Sequence, residues 1–177
     1  MRGFTLVELT IVLAIASVLL GAGIPSFNNF IRSVKLTSTT NDFFSGILIA
    51  RSEAAKRRSR VAMCKSTDGV ICTATGGWDQ GWIVFHDTNN DGSRQAGEEV
   101  VWQTQAIGKD MRVLGNLNVA RYVSYTPTGE AKLVGGGFQA GTITLCNVSV
   151  TSENAREIVI SSSGRPRVQK THIANCV

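Results

Sequence analysis

The rhythm of apolar and polar positions changes twice along the chain. From Phe4 to Ile24 nearly every residue is apolar, and Glu8 is the single ionisable side chain. Such a run of about 21 residues measures roughly 31 Å as a helix, long enough to span a bilayer. After Pro25, apolar residues recur at spacings of three and four: Phe27, Phe30, Ile31 and Val34, then Phe44, Ile47, Leu48 and Ala55. This predicts a helix kinked or restarted at Pro25 and continuing to about residue 59, with an apolar stripe that packs on a head. Beyond residue 60 the period switches to two and turn residues multiply. Strands are predicted at Val61–Cys64, Trp82–Phe85, Glu99–Trp102, Tyr122–Tyr125, Thr142–Cys146 and Glu157–Ile160, with Val168–Thr171 closing the sheet. The pattern contains no repeat, no low-complexity tract and no second domain.

Charge sharpens this division. The chain of 177 residues carries a net charge of +5. That excess lies within residues 25–60, because residues 61–177 hold as many acidic as basic side chains. An anion-binding surface on the head is therefore a local patch and not a global field. The basic stretch Arg51–Arg60 is read first as a complement to the helix C-terminal dipole. Contact with lipid headgroups, nucleic acid or another subunit is the alternative.

Four cysteines, Cys64, Cys72, Cys146 and Cys176, form no C-x-x-C pair, and the chain has only two histidines, so zinc is disfavoured. An even count behind an export-type segment argues for disulfides. Of three connectivities, Cys64–Cys72 with Cys146–Cys176 is favoured, because each joins segments that neighbouring strands could bring together. Chain entropy gives about 2.6 and about 3.7 kcal/mol for those loops.

The N-terminus admits three readings: a cleaved secretory signal, an ordinary membrane anchor and a pilin-type segment. A carboxylate inside a hydrocarbon span costs about 2.5–3.5 kcal/mol and so calls for a function. Gly3-Phe4-Thr5-Leu6-Val7-Glu8 resembles the cleavage and assembly motif of type IV pilins and type II secretion pseudopilins. The resemblance implies a prepilin peptidase that cuts after Gly3, N-methylation of Phe4, and pairing of Glu8 with the N-terminal amine of a neighbouring subunit. Both charges are then buried and tolerable only as a pair. Arg2 ahead of the run favours a cytoplasmic N-terminus. The divisions that follow are a leader peptide at 1–3, a transmembrane and assembly helix at 4–28, the amphipathic half of the same helix at 29–60, and a β-rich head at 61–177. The expected setting is a bacterial inner membrane with a periplasmic head.

Gly77-Trp78-Asp79-Gln80-Gly81-Trp82-Ile83-Val84-Phe85, with the segment from Asp87 to Glu98, resembles the head shared by the GspH pseudopilin and the FimT minor pilin. The fold so implied is α+β, the type IV pilin fold. Its partners are other pilins of the filament and the pilus assembly machinery.

Two patterns on the head carry candidate chemistry. Asp87, Asn89, Asp91, Gly92 and Glu98 match the spacing of a calcium loop. Arg94 inside the loop and flanking strands favour a plain hairpin, so no cofactor is expected and calcium stands as the alternative. The second is Ser162-Ser163-Gly164-Arg165-Pro166-Arg167, with Lys170 three residues on. Pro166 favours an extended Arg165, which turns both arginines to one side. Planar guanidinium groups suit phosphate oxygens. Gly-Arg-x-Arg resembles the C-terminal motif by which FimT proteins of naturally transformable bacteria bind DNA. The resemblance implies non-specific capture of extracellular DNA through Gly164, Arg165, Arg167 and Lys170. The alternative is a GspH-like pseudopilin of type II secretion, or a minor pilin acting only in assembly. His86 and His172 sit in no nucleophile motif and all four cysteines are assigned to disulfides, so no enzyme is expected. Trp78, Trp82 and Trp102 are read as packing residues.

Overall fold

The computed structural model describes residues 3, 5–148 and 153–176, without the side chains at 22–26 and 153. Helix α1 runs from Leu6 to Arg57 and is continuous across position 25, so it does not restart there. Two compact units divide the chain, Met1–Lys35 and Leu36–Val177.

In the first unit, Thr5 and Glu8 close the start of α1. The Thr5 backbone N–H and hydroxyl both donate to Glu8 Oε2 at 2.9 Å, and Glu8 N–H donates back to the Thr5 hydroxyl at 3.3 Å. This is a capping box, in which a hydroxyl and a carboxylate three residues on satisfy N–H groups that the helix leaves unpaired. Leu6, Val7, Leu9, Ile11, Val12, Leu13, Ile15, Val18, Leu19 and Leu20 are all exposed. Among the described residues, no helix is both long and apolar enough to cross a membrane.

The second unit opens with the rest of α1. Leu36, Phe43, Ile47, Ala50 and Ala54 are buried at spacings of three, four and seven, one stripe of the helix. They pack on two antiparallel sheets. In the first, β1 (Val61–Lys65), β2 (Gly81–His86), β3 (Val100–Gln105) and β5 (Tyr122–Tyr125) follow the order β3-β2-β1-β5. In the second, β4 (Met111–Gly115), β6 (Gly141–Asn147), β7 (Glu153–Ile160) and β8 (Pro166–Ile173) follow the order β4-β6-β7-β8. A single sheet was expected, and β4 was not foreseen.

The first sheet is covered on both faces. Val61, Met63, Trp82, Val84, Val123 and Tyr125 join the large core that includes the helix. Ala62, Cys64, Ile83 and Phe85 form a smaller core on the other face, with Cys72, Val100 and Tyr122. Strands buried on both sides read as continuous apolar runs. The Cys64–Cys72 bond lies in this smaller core, and Cys146–Cys176 ties β6 to the C-terminal segment. These are the favoured pairings. Lys65 is buried beside them; its Nζ donates to the carbonyls of Ala74 and Gly76 at 3.1 and 2.8 Å, and burial lowers its pKa.

The basic end of α1 is largely consumed within the head. Arg51 Nε donates to the Gly129 carbonyl at 3.0 Å. Arg57 bridges Glu53 at 2.7 Å and Glu99 at 2.6 Å, and Lys56 meets Glu53 at 3.1 Å. Arg60 Nη1 reaches Ser124 Oγ and the Lys132 carbonyl, each at 3.3 Å. The helix stops at Arg58, whose φ of +52° is left-handed.

Hydrogen bonds from Arg57 hold the carboxyls of Glu53 and Glu99 below the ordinary glutamate range. A depressed folded pKa adds stability that is present above the unfolded value and lost as pH falls through the folded one. Arg57→Ala should therefore lower the melting temperature at neutral pH by about 1–4 °C. Thermal unfolding followed by circular dichroism should show the gap closing as pH drops below that range. A gap that persists once both carboxyls are protonated would assign the effect to packing.

Candidate functional site

Residues 161–165 connect β7 to β8 at the edge of the second sheet. The Gly164 N–H donates to the Ser161 carbonyl at 2.9 Å, closing a turn. Ser161 N–H then donates to the Arg165 carbonyl at 3.1 Å, and Arg165 N–H to the Ser161 hydroxyl at 3.1 Å. Gly164 is buried with φ +78°, and a Cβ there would collide with the backbone of Gly129, Glu130 and Ala131. Only glycine suits both the left-handed geometry and that approach. The Tyr125 hydroxyl donates to the Gly164 carbonyl at 2.9 Å, and burial raises its pKa, so it remains a donor.

Side chains alternate along β8. Pro166 and Val168 stand opposite Ile160 and Ile158, both core residues, so they share the inward face. Arg167 stands opposite Val159, on the outward face, and Gln169 on that face donates to Glu157 at 2.7 Å. Arg165, two residues before Arg167, falls to the same outward side. Both are exposed, and among the described residues neither guanidinium makes a hydrogen bond or ion pair. Lys170 does not join them. It stands opposite Arg156 on the other face of the hairpin, because three residues separate it from Arg167.

The calcium-like spacing builds a different object. Asp87 is fully buried; its Oδ1 accepts from Asp91 N–H at 3.1 Å and its Oδ2 from Gly92 N–H at 3.0 Å. Glu98 Oε1 accepts from the Thr88 N–H at 2.7 Å and the Thr88 hydroxyl at 3.0 Å, and its Oε2 from Gln95 N–H at 3.0 Å. Asp91 accepts from Ser93 N–H at 2.8 Å and from the side-chain amides of Asn89 and Gln95 at 3.0 and 2.7 Å. In this arrangement Asp87, Asp91 and Glu98 accept hydrogen bonds from the loop itself, and the loop joins the antiparallel strands β2 and β3. Among the described residues, no group of three or more His, Cys, Asp or Glu could hold a metal ion. Arg94 docks this loop on the disulfide loop: its N–H meets Cys72 Sγ at 3.2 Å, and Nη1 the Val70 carbonyl at 3.1 Å.

Trp78 and Trp82 are fully buried core residues, while Trp102 lies about half exposed at the β3 edge. Phe4 lies outside the described residues. Sequence reasoning missed three functional supports. The Thr5-x-x-Glu8 capping box had a local signal. The contacts of Tyr125 and of residues 129–131 with Gly164 had none, since 39 residues separate Tyr125 from Gly164.

Comparison with known proteins follows the geometry. Residues 39–164 match the family described as type II transport protein GspH, and residues 1–24 match the prokaryotic N-terminal methylation motif. The chain is 27% identical over 176 residues to the pilin-like protein PilA1 of Thermus thermophilus, covering 95% of this chain and 98% of that one. It is 33% identical over 76 residues to prepilin peptidase-dependent protein D of Escherichia coli, covering 43% of this chain and 44% of that one. The type IV minor pilin FimU of Pseudomonas aeruginosa superposes with a TM-score of 0.61 at 17% identity, over 84% of this chain and 99% of that one. The minor pseudopilin EpsH from the type 2 secretion system of Vibrio cholerae gives 0.52 at 12% identity, over 76% and 96%. At these identities the two structures speak for the fold.

Burial pushes the Asp87 carboxyl upward, against the two N–H bonds that favour its anion. Asp87→Ala removes the acceptor of both N–H groups. It should cost about 1–3 kcal/mol in chemical denaturation, as expected for orphaned buried donors. Added calcium should leave the wild-type transition where it is. A calcium-dependent rise that Asp87→Ala abolishes would mean that the loop opens to bind the ion.

Proposed function

Because the chain belongs to the GspH family and carries the type IV pilin fold, we propose that it is a FimT-like minor pilin that captures DNA through Arg165 and Arg167. Minor pilin or pseudopilin, of a type IV pilus or of type II secretion, is the class to which it belongs. Proteins of this family and fold are structural and not enzymatic.

The observation that carries the reading is the pair of exposed guanidinium groups, without partners among the described residues, that flank Pro166 after the Gly164 turn. Elsewhere the arginines at 51, 57, 60 and 94 have partners inside the head. Leaving two side by side in solvent serves no packing end, and guanidinium forks bind phosphate oxygens well. Binding is then sequence-independent and weak for one head, and repetition along a filament supplies avidity.

The other end of the chain supports assembly. Cleavage after Gly3 would expose Phe4 for methylation, and Glu8 would meet the amine of a neighbour. The exposed apolar run between Leu6 and Leu20 needs lipid or other subunits to cover it. In this reading residues 4–28 hold the subunit in the inner membrane until it joins the filament. The second reading, a GspH-like pseudopilin of type II secretion, is favoured by the family match over residues 39–164. It has no need of the arginine pair.

The full chain in detergent should retard a DNA duplex in a gel, with a salt slope of about −1.8 for two phosphates. Arg165→Gln with Arg167→Gln should abolish the shift and leave the circular dichroism spectrum unchanged. Lys170→Gln, on the other face, should weaken binding less than either arginine change. An unaltered shift in the double variant would move the protein to the second reading.

A further inference from the structure

The Gly164 turn is held from both flanks. Below it, Tyr125 at the end of β5 is fully buried and bonds the Gly164 carbonyl. The backbone of residues 129–131, against which Gly164 sits, has supports of its own. Gly129 N–H donates to the Thr126 carbonyl at 2.8 Å, and Thr126 N–H to the Glu130 carbonyl at 3.0 Å. Arg51 Nε, from α1, donates to the Gly129 carbonyl at 3.0 Å. On the other flank, Ser161 closes on both backbone groups of Arg165. The backbone of Arg165 is fixed while its guanidinium is left open. Between Arg165 and Arg167 the extended chain advances about 6.6 Å. That is comparable to the separation of consecutive phosphates along one nucleic-acid strand.

We propose that Tyr125 and Arg51 are positioning residues for DNA binding: through Gly164 and the Gly129 turn they set Arg165 in register with Arg167, so that the pair grips consecutive phosphates of one strand. The inference rests on the reading of Arg165 and Arg167 as the DNA contacts. A tyrosine that only filled the core would affect stability and leave the number of phosphates contacted unchanged. A positioning tyrosine changes that number.

Salt dependence reads it directly, with the full chain in detergent and a fluorescein-labelled duplex followed by anisotropy. Two phosphates predict a slope of about −1.8, and one predicts about −0.9. Tyr125→Phe, which keeps the ring and loses the hydroxyl, should bind about tenfold more weakly with a slope near the lower value, as Arg165→Gln should. Arg51→Lys keeps the charge but loses the Nε–H, and should shift the slope in the same direction. It also serves where Tyr125→Phe does not fold. Faster amide exchange at Ser161 and Gly164 in either variant would agree with a loosened turn. Wild-type affinity and slope in Tyr125→Phe and Arg51→Lys, beside a weakened Arg165→Gln, overturn the inference and leave the DNA reading standing. Wild-type binding by the Arg165→Gln, Arg167→Gln double variant removes both.

Discussion

Phe43 of α1 is wedged between two indoles, and the second unit is organised around that wedge. Its ring lies 5.2 Å from Trp78 at 87° and 4.9 Å from Trp82 at 61°. Edge-on contacts of this kind are favourable beyond the area they bury. Trp82 is part of β2 in the first sheet. Trp78 reaches the second, because its Nε1 donates to the Val119 carbonyl at 3.0 Å and its neighbour Asp79 accepts from Val113 N–H of β4 at 3.3 Å. One side chain of the helix thus ties both sheets to the same axis. Truncating a buried aromatic costs about 3–5 kcal/mol, a large part of a domain's net stability.

How much of this was legible follows from how local each signal is. The helical stripe, seven of the eight strands and both disulfides can be read from period, turn residues and cysteine placement. β4 escaped because Met111-Arg-Val-Leu-Gly115 is short and carries its arginine on a half-covered face. The division into two sheets escaped because it depends on which strands pair, and periodicity is silent on pairing. Lys170 is instructive in a different way. Alternation alone separates it from Arg167, so its face was available from the sequence once β8 was taken as continuous. At Asp87 the spacing was read correctly and the chemistry was ambiguous. A carboxylate at the start of a tight loop can ligate an ion or accept the loop's own N–H groups, and the spacing is the same for both; Asp87 accepts two N–H groups of its loop.

Charge is distributed by the same logic. The cluster at residues 51–60 reads first as a complement to the helix dipole, with contact to an anionic partner or another subunit as the alternative. Instead Arg51, Arg57 and Arg60 join helix to sheet and turn, and each spans dozens of residues of sequence. Cations with stem-length reach are well suited to such work, since their methylenes pack while their heads find carbonyls. A basic cluster in sequence is therefore a poor guide to a basic surface in space. Arg165 and Arg167, which remain open, lie in a region whose composition is neutral overall.

What separates those two arginines from an ordinary solvated hairpin is the glycine before them. A turn meant only to reverse the chain would also favour glycine at a left-handed position, but would not need that backbone packed against another segment. Here the backbone of Gly164 abuts that of residues 129–131, carries a left-handed φ and accepts from a buried tyrosine. Three constraints converge on one residue flanked in sequence by Ser163 and Arg165, both exposed. Long side chains lose conformational freedom when they bind, and a rigid backbone beneath them reduces what must be ordered at that moment. The turn backbone is fixed while the side chains of Arg165 and Arg167 stay exposed.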